Sequence, residues 1–167
     1  MRMRVRADFA FERELWGRGV TAVAGVDEVG VGALAGPVIA AAVILAPGTI
    51  IKGLADSKLL TAKRREALFA VIAECAVAIG LGRSEVEEVD RINVYWAAME
   101  ARRRAVEALQ ITSGHVLVDG KRRITGCRLS QTPVIDGDAL CGSIAAASIV
   151  AKVTRDSLLR EYAQRFA

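Results

Sequence analysis

Apolar residues in this chain come in two kinds of block, and the two alternate. Short, nearly continuous apolar runs at 21–28, 37–46, 76–83 and 115–118 read as strands. The run at 37–46 is apolar on both faces, so it belongs inside a sheet. A shorter run at 133–135 is a fifth candidate. Between the runs, apolar positions recur at helical spacing. A helix is predicted over 61–75, with Thr61 as its N-cap and the polar turn Asp56-Ser57-Lys58 before it. A short acidic helix is predicted over 84–91. A long one follows over 93–110, with an apolar stripe through Val94, Ala97, Ala98, Ala101, Ala105, Val106 and Leu109. The last helix, over 143–166, opens on SIAAAS, small residues suited to close packing on a sheet. Residues 1–16 read as a short amphipathic helix stopped by Gly17 and Gly19. Nothing repeats and no linker interrupts the pattern. The expectation is a single α/β domain over 1–167, with a mixed central sheet flanked by helices.

Composition narrows the class. Hydrophobic residues make up 53% of the chain, which excludes disorder as its general state. The longest apolar run, 38–46, is far shorter than the ~20 residues of a membrane span, so no membrane partner is expected. The N-terminus lacks the apolar core of a secretory signal. Cys75, Cys127 and Cys141 show no CxxC spacing, which speaks against a disulfide framework or a zinc site and fits a reducing cytoplasm. A net charge of +4 is compatible with a polyanionic partner. The clusters Lys63-Arg64-Arg65, Arg102-Arg103-Arg104 and Lys121-Arg122-Arg123 say more than the total. Each reads either as a solvated face or as a set of phosphate contacts.

The candidate chemistry lies where apolar runs end. In AVAGVDEVGVGALAGP a strand delivers Asp27 and Glu28 and then dissolves into glycines. Asp119, in VLVDG, and Asp138, in IDGD, also follow apolar runs. Carboxylates at buried positions are costly unless a cation meets them. Four such acids suit hard divalent cations, which take oxygen ligands. Two of them could relieve phosphate charge, orient a water and stabilise a leaving oxygen. Each aspartate has a plainer reading: Asp27 as a turn cap, Asp119 before Gly120 as a turn residue, Asp138 as a helix N-cap. Glu28 has no such reading, because glutamate is not a turn former. Asp156 is expected to make a helix-surface ion pair with Arg160, and Asp56 and Asp90 are expected to be structural. The single histidine, His115, sits at a strand edge with no nucleophile motif nearby, which disfavours a Ser-His or Cys-His device.

The segments GVDEVGVGALAGPVIAAAVIL, DSKLL, INVYWAAMEARRRAVEAL, VLVDGKRR and GDALCGSIAAASIVAKVTRD stand in the order and spacing of prokaryotic ribonuclease HII, which the chain resembles from about Ala24 to its end. The resemblance implies a ribonuclease H-like fold. It implies metal-dependent cleavage of RNA in RNA–DNA hybrids and incision at ribonucleotides embedded in duplex DNA. It implies Mg2+ or Mn2+ at a two-metal site, held by Asp27, Glu28, Asp119 and Asp138. The loop Gly30-Val31-Gly32 would read the ribonucleotide 2′-hydroxyl. Ser57, Lys58, Lys121 and Lys152 would contact the substrate backbone. A monomer in the cytoplasm is expected.

Several positions depart from the family pattern. The loop usually reads Gly-Arg-Gly, and here valine replaces arginine and removes its donors. The following proline is Ala33. A lysine before the fourth acid is Asp136, and the basic residue and serine after it are Leu140 and Cys141. Asp136 is therefore expected to raise the carboxylate pKa values around Asp138. Family members usually continue past the position of Ala167, with a tyrosine that stacks on the junction sugar. Neither Tyr95 nor Tyr162 matches it. The chain is thus expected to be a truncated or shortened member. Two alternatives stay open: a weakened relative that still binds hybrids, and a basic nucleic-acid-binding domain whose acids are structural.

Overall fold

The computed structural model describes residues 7–32 and 36–166. Residues 1–6 of the predicted N-terminal helix, and Ala33, lie outside that range.

The apolar runs form five strands: β1 (Val23–Val29), β2 (Val38–Ile44), β3 (Ala78–Ser84), β4 (His115–Asp119) and β5 (Gln131–Val134). They make one sheet in the order β3-β2-β1-β4-β5. β2 runs antiparallel to both β1 and β3, while β1, β4 and β5 are mutually parallel. β2 is buried along its whole length, as its continuous apolar pattern requires. Ile39, Ala41 and Val43 face one side, and Val38, Ala40 and Ala42 the other. The alanines let helices close on both faces.

Among the described residues, five α-helices flank the sheet: α1 (Ala10–Gly17), α2 (Ala62–Cys75), α3 (Val86–Glu107), the single turn α4 (Gly137–Leu140) and α5 (Gly142–Arg165). α5 packs with α2 on one face, and its first ten residues, Gly142 to Ala151, are all buried. The approach is so close that a Cβ on Gly25 would lie 2.2 Å from the Ser143 carbonyl carbon, so β1 needs glycine there. α1 is tied to the same helix. Its buried Glu12 accepts a 2.8 Å hydrogen bond from the Ser143 amide, an acid placed at a positive helix end. Thr61 caps α2 as predicted, accepting from the Arg64 amide at 3.1 Å.

α3 covers the other face through Ala97, Ala98, Ala101, Ala105 and Val106, most of the predicted stripe. The two helices predicted at 84–91 and 93–110 are one rod with a break inside it. Asn93 stands at φ 68° and accepts from the amides of Tyr95 and Trp96, so it works as an internal N-cap. Ser84 belongs to β3 instead, where its hydroxyl donates to the Ala97 carbonyl at 2.7 Å. β5 begins two residues before the expected start. Gln131 anchors it by bonding the Ile124 amide and carbonyl, and Pro133 is tolerated because β5 is an edge strand. No helix of the described residues is long and apolar enough to cross a membrane.

Candidate metal and nucleic-acid site

Parallel pairing explains how distant acids meet. Val26 pairs with Val118, so the next residues, Asp27 and Asp119, emerge side by side at the ends of β1 and β4. Asp138 arrives on α4, just past β5, and its amide donates to Asp119 Oδ1 at 3.1 Å. Asp27, Asp119 and Asp138 each offer one carboxylate oxygen, and these atoms all lie within 4.8 Å of one another. Asp27 is 5% exposed, and its Oδ1 accepts from the Glu28 amide at 2.8 Å. Burial, then the neighbouring charges of Asp119 and Glu28, hold its pKa well above the usual carboxylate range, with Arg102 opposing. Burial, then Asp119 and Asp56, push Asp138 up to about 6, with Lys58 opposing. The repulsion Asp138 feels therefore comes first from Asp119 and then from Asp56, and the exposed Asp136, which the sequence suggested, is not among its main sources. A set of hard oxygen donors, crowded and short of positive charge, suits a divalent cation of the magnesium class.

Glu28 does not join this cluster. Side chains alternate along a strand, so Glu28 faces α3 while Asp27 faces α5. There it forms an ion pair with Arg102, whose Nη1 also donates to the Asp119 carbonyl at 3.0 Å.

Two grooves flank the acids. One, of about 520 Å³, is lined by Asp27, Gly30, Lys58, Asp138 and Lys152 among others. The second, of about 340 Å³, lies towards α3 and is lined by Val94, Tyr95, Met99, Arg102, Lys121 and Arg122 among others. Glu28, Val31 and Asp119 line both. The predicted loop stands at their junction. Gly30 has φ +102°, and a Cβ there would meet the Pro37 carbonyl oxygen at 2.8 Å, so glycine is required. Val31 is 40% exposed, and Gly32 is exposed in the turn after it.

The other predicted contacts divide. Lys58 extends into solvent beside the acids, 3.6 Å from Asp138 and 3.5 Å from Asp56. It supplies a positive charge that the sequence around Asp138 lacked. Ser57 is buried, its hydroxyl shares a 2.7 Å hydrogen bond with Ser148, and both residues line the first groove. Lys152 pairs with Asp156 at 2.9 Å, and Arg65 approaches the same acid at 3.7 Å. The partner expected for Asp156, Arg160, pairs with Glu66 instead. Lys121, Arg122 and Arg123 are exposed, and Arg122 lies over the Tyr95 ring at 5.9 Å. The Arg102-Arg103-Arg104 cluster is not a free basic face. Arg103 binds Glu100 and Glu107, and Arg104 binds Glu88. Arg102 is the site residue that sequence reading missed.

His115 begins β4, at the end opposite Asp119, and shares a 2.7 Å hydrogen bond with Thr132. Burial lowers its pKa. Cys141, which replaces the family's serine, is buried against Glu12 and Ser143, away from both grooves. Cys75, Cys127 and Cys141 are all unpaired.

The family model for ribonuclease HII matches residues 24–167. The chain is similar to ribonuclease HII of Myxococcus xanthus, with 53% identity over 159 residues, 95% of this chain and 54% of the relative. Ribonuclease HII of Moorella thermoacetica is 52% identical over 161 residues, 96% of this chain and 78% of the relative. The chain thus spans about half the length of the first relative. Among solved structures, ribonuclease H2 from Pyrococcus horikoshii OT3 superposes with a TM-score of 0.74 at 26% identity, covering 86% of this chain and 76% of that one.

Proposed function

The chain belongs to the ribonuclease HII family and has its ribonuclease H-like fold; on that premise we propose that it is a metal-dependent endonuclease. It cleaves the RNA strand of RNA–DNA hybrids, and it incises duplex DNA at embedded ribonucleotides. The observation that carries this reading is the meeting of Asp27, Asp119 and Asp138 within 4.8 Å at the bottom of an open groove.

These three carboxylates would hold Mg2+ or Mn2+, with Glu28 as a fourth candidate beside them. Such cations, when bound, relieve phosphate charge and favour attack by water at phosphorus. The chain's own groups do the rest. Asp119 fixes the Asp138 backbone through the 3.1 Å bond, so two of the acids move as a unit. Lys58, at the rim, meets a substrate phosphate and keeps Asp138 partly compensated. Backbone groups of Gly30-Val31-Gly32 face the ribose, where the 2′-hydroxyl distinguishes RNA from DNA. Lys121 and Arg122 follow the phosphate backbone beyond the acids, and Lys152 serves within the groove through its pair with Asp156. Unpaired cysteines fit a reducing compartment, which supports the cytoplasm as its place of action. We propose separately that it acts as a monomer.

A second reading, a hybrid-binding relative with weakened chemistry, is favoured by Val31, whose side chain offers no donor at the point where both grooves meet. Nicking of a duplex carrying one ribonucleotide, with and without Mg2+ or Mn2+, separates the two. Metal-dependent nicking supports the first reading, and binding without nicking supports the second.

A further inference from the structure

Arg102 is a buried cation at the acidic site, and the mechanism above gives it no task. Its side chain is 10% exposed and that of its partner Glu28 is 15% exposed. All three guanidinium nitrogens are engaged: Nε and Nη2 on the Glu28 carboxylate, Nη1 on the Asp119 carbonyl at 3.0 Å. Glu28 lies one residue before the end of β1 and Asp119 ends β4, so one side chain from α3 fastens together the two strands that carry Asp27 and Asp119. Lys58, the cation beside Asp138, is 76% exposed and screened by water. Arg102, by contrast, is a buried counter-charge held in place at both Glu28 and Asp119. Glu28 nevertheless lines the same 520 Å³ groove as Asp27, Asp119 and Asp138, and it stays outside their cluster while Arg102 holds it.

Resting on the metal-site reading above, we propose that Arg102 is a positioning residue that acts as a built-in counter-ion. It holds Glu28 away from the Asp27–Asp119–Asp138 cluster and pins the two strands, so that a divalent cation competes with Arg102 for Glu28. Arginine suits the task because its planar fork holds a carboxylate and a carbonyl in one fixed geometry, whereas lysine is a compact point charge on a flexible stem. Removing it has two opposed effects. The metal-free protein loses a buried partner for Glu28 and becomes less stable. The site gains a free carboxylate and binds cations more tightly.

Thermal unfolding titrated with Mg2+, and separately with Mn2+, tests this without relying on activity. The proteins are wild type, R102M, R102K, E28Q and the double variant R102M/E28Q. R102M should melt lower than wild type in EDTA, and its metal midpoint should fall by about three- to tenfold, the scale of a direct-contact coupling. R102K keeps the charge and loses the fork, so its midpoint should lie between the two; it carries the test where R102M does not fold. With E28Q already present, R102M should no longer lower the midpoint. A midpoint equal in wild type, R102M and R102K overturns the proposal, as does a drop that persists in the E28Q background. A wild type with no metal response overturns the cation site itself, whereas a wild-type response left unchanged by R102M and R102K overturns only the role of Arg102.

Discussion

Asp27→Asn should make the metal-free protein more stable while it destroys the response to metal. Asp27 is 5% exposed and shares its cluster with Asp119 and Asp138 within 4.8 Å. Two like charges at that separation repel by about 3.5 kcal/mol at an effective dielectric near 20. Asparagine removes the charge but keeps an oxygen to accept the 2.8 Å bond from the Glu28 amide. Two effects offset the gain: the lost attraction of Arg102, and the upward shift of the Asp27 pKa, which already relieves part of the repulsion. The net stabilisation should be about 1–3 kcal/mol. For a chain of this size that raises Tm by about 3–10 °C in EDTA. In wild type, a cation at tenfold excess over its Kd adds about 1.4 kcal/mol, or about 3–6 °C. The variant should show little of that shift, because a neutral amide is a far weaker ligand for a hard cation. Differential scanning fluorimetry with EDTA, Mg2+ and Mn2+ measures all of these values. A lower Tm in EDTA for Asp27→Asn, or an undiminished metal shift, would refute the electrostatic account of the cluster.

Stability without metal should depend on pH through Asp138, which holds its proton up to about 6 in the folded protein but only to about 3.9 when unfolded. Between those values the folded state binds more protons, so in EDTA the Tm should fall as pH rises through that window, and Asp138→Asn should flatten the fall. Val31→Arg should restore a charged donor worth roughly 1.5–3 kcal/mol. That should raise selectivity for a single-ribonucleotide duplex over a uniform hybrid by about ten- to a hundredfold, and an unchanged rate and ratio would remove the loop from junction reading. Replacing Lys121 and Arg122 together with alanine should weaken binding to all duplexes alike and flatten the salt dependence, as a fluorescence-anisotropy titration over salt would show. A loss confined to one base sequence would contradict backbone contacts there.

The acids could be read from the sequence because each ends an apolar run. The parallel pairing of β1 with β4 then puts two of those ends together. Asp138 follows an apolar run as well, but nothing in the pattern marks that it arrives on a single helical turn opened by Asp136 in a left-handed conformation. The fate of Glu28 was partly legible: adjacent strand residues face opposite sides, so Glu28 starts from the α3 face of β1 while Asp27 starts from the α5 face. Arg102 was harder. In a run of three arginines, the rotation of α3 alone decides which one turns inward. The stripe carried that signal, because Arg102 lies four residues after Ala98 and three before Ala105, both on the buried face. Ser57 and Asp156 show the limit from the other side. Ser57 meets Ser148 across 91 residues, and Asp156 is shared between Lys152 and Arg65. The Ser57–Ser148 and Arg65–Asp156 pairings have no local sequence signature, whereas Lys152–Asp156 stands at the same i,i+4 spacing as the expected Asp156–Arg160 pair.

The central claim is that Asp27, Asp119 and Asp138 form a cation site at which a phosphodiester is cut. Nicking of an end-labelled DNA duplex with one embedded ribonucleotide tests it most directly, for wild type and Asp119→Asn, in EDTA, Mg2+ and Mn2+. Asp119 Oδ1 accepts from the Asp138 amide, and asparagine can keep that bond, so the variant should fold. The account predicts cutting at the ribonucleotide by wild type only when a divalent cation is present, and none above background by a folded Asp119→Asn. Cutting by wild type in EDTA, or undiminished cutting by Asp119→Asn, would contradict it.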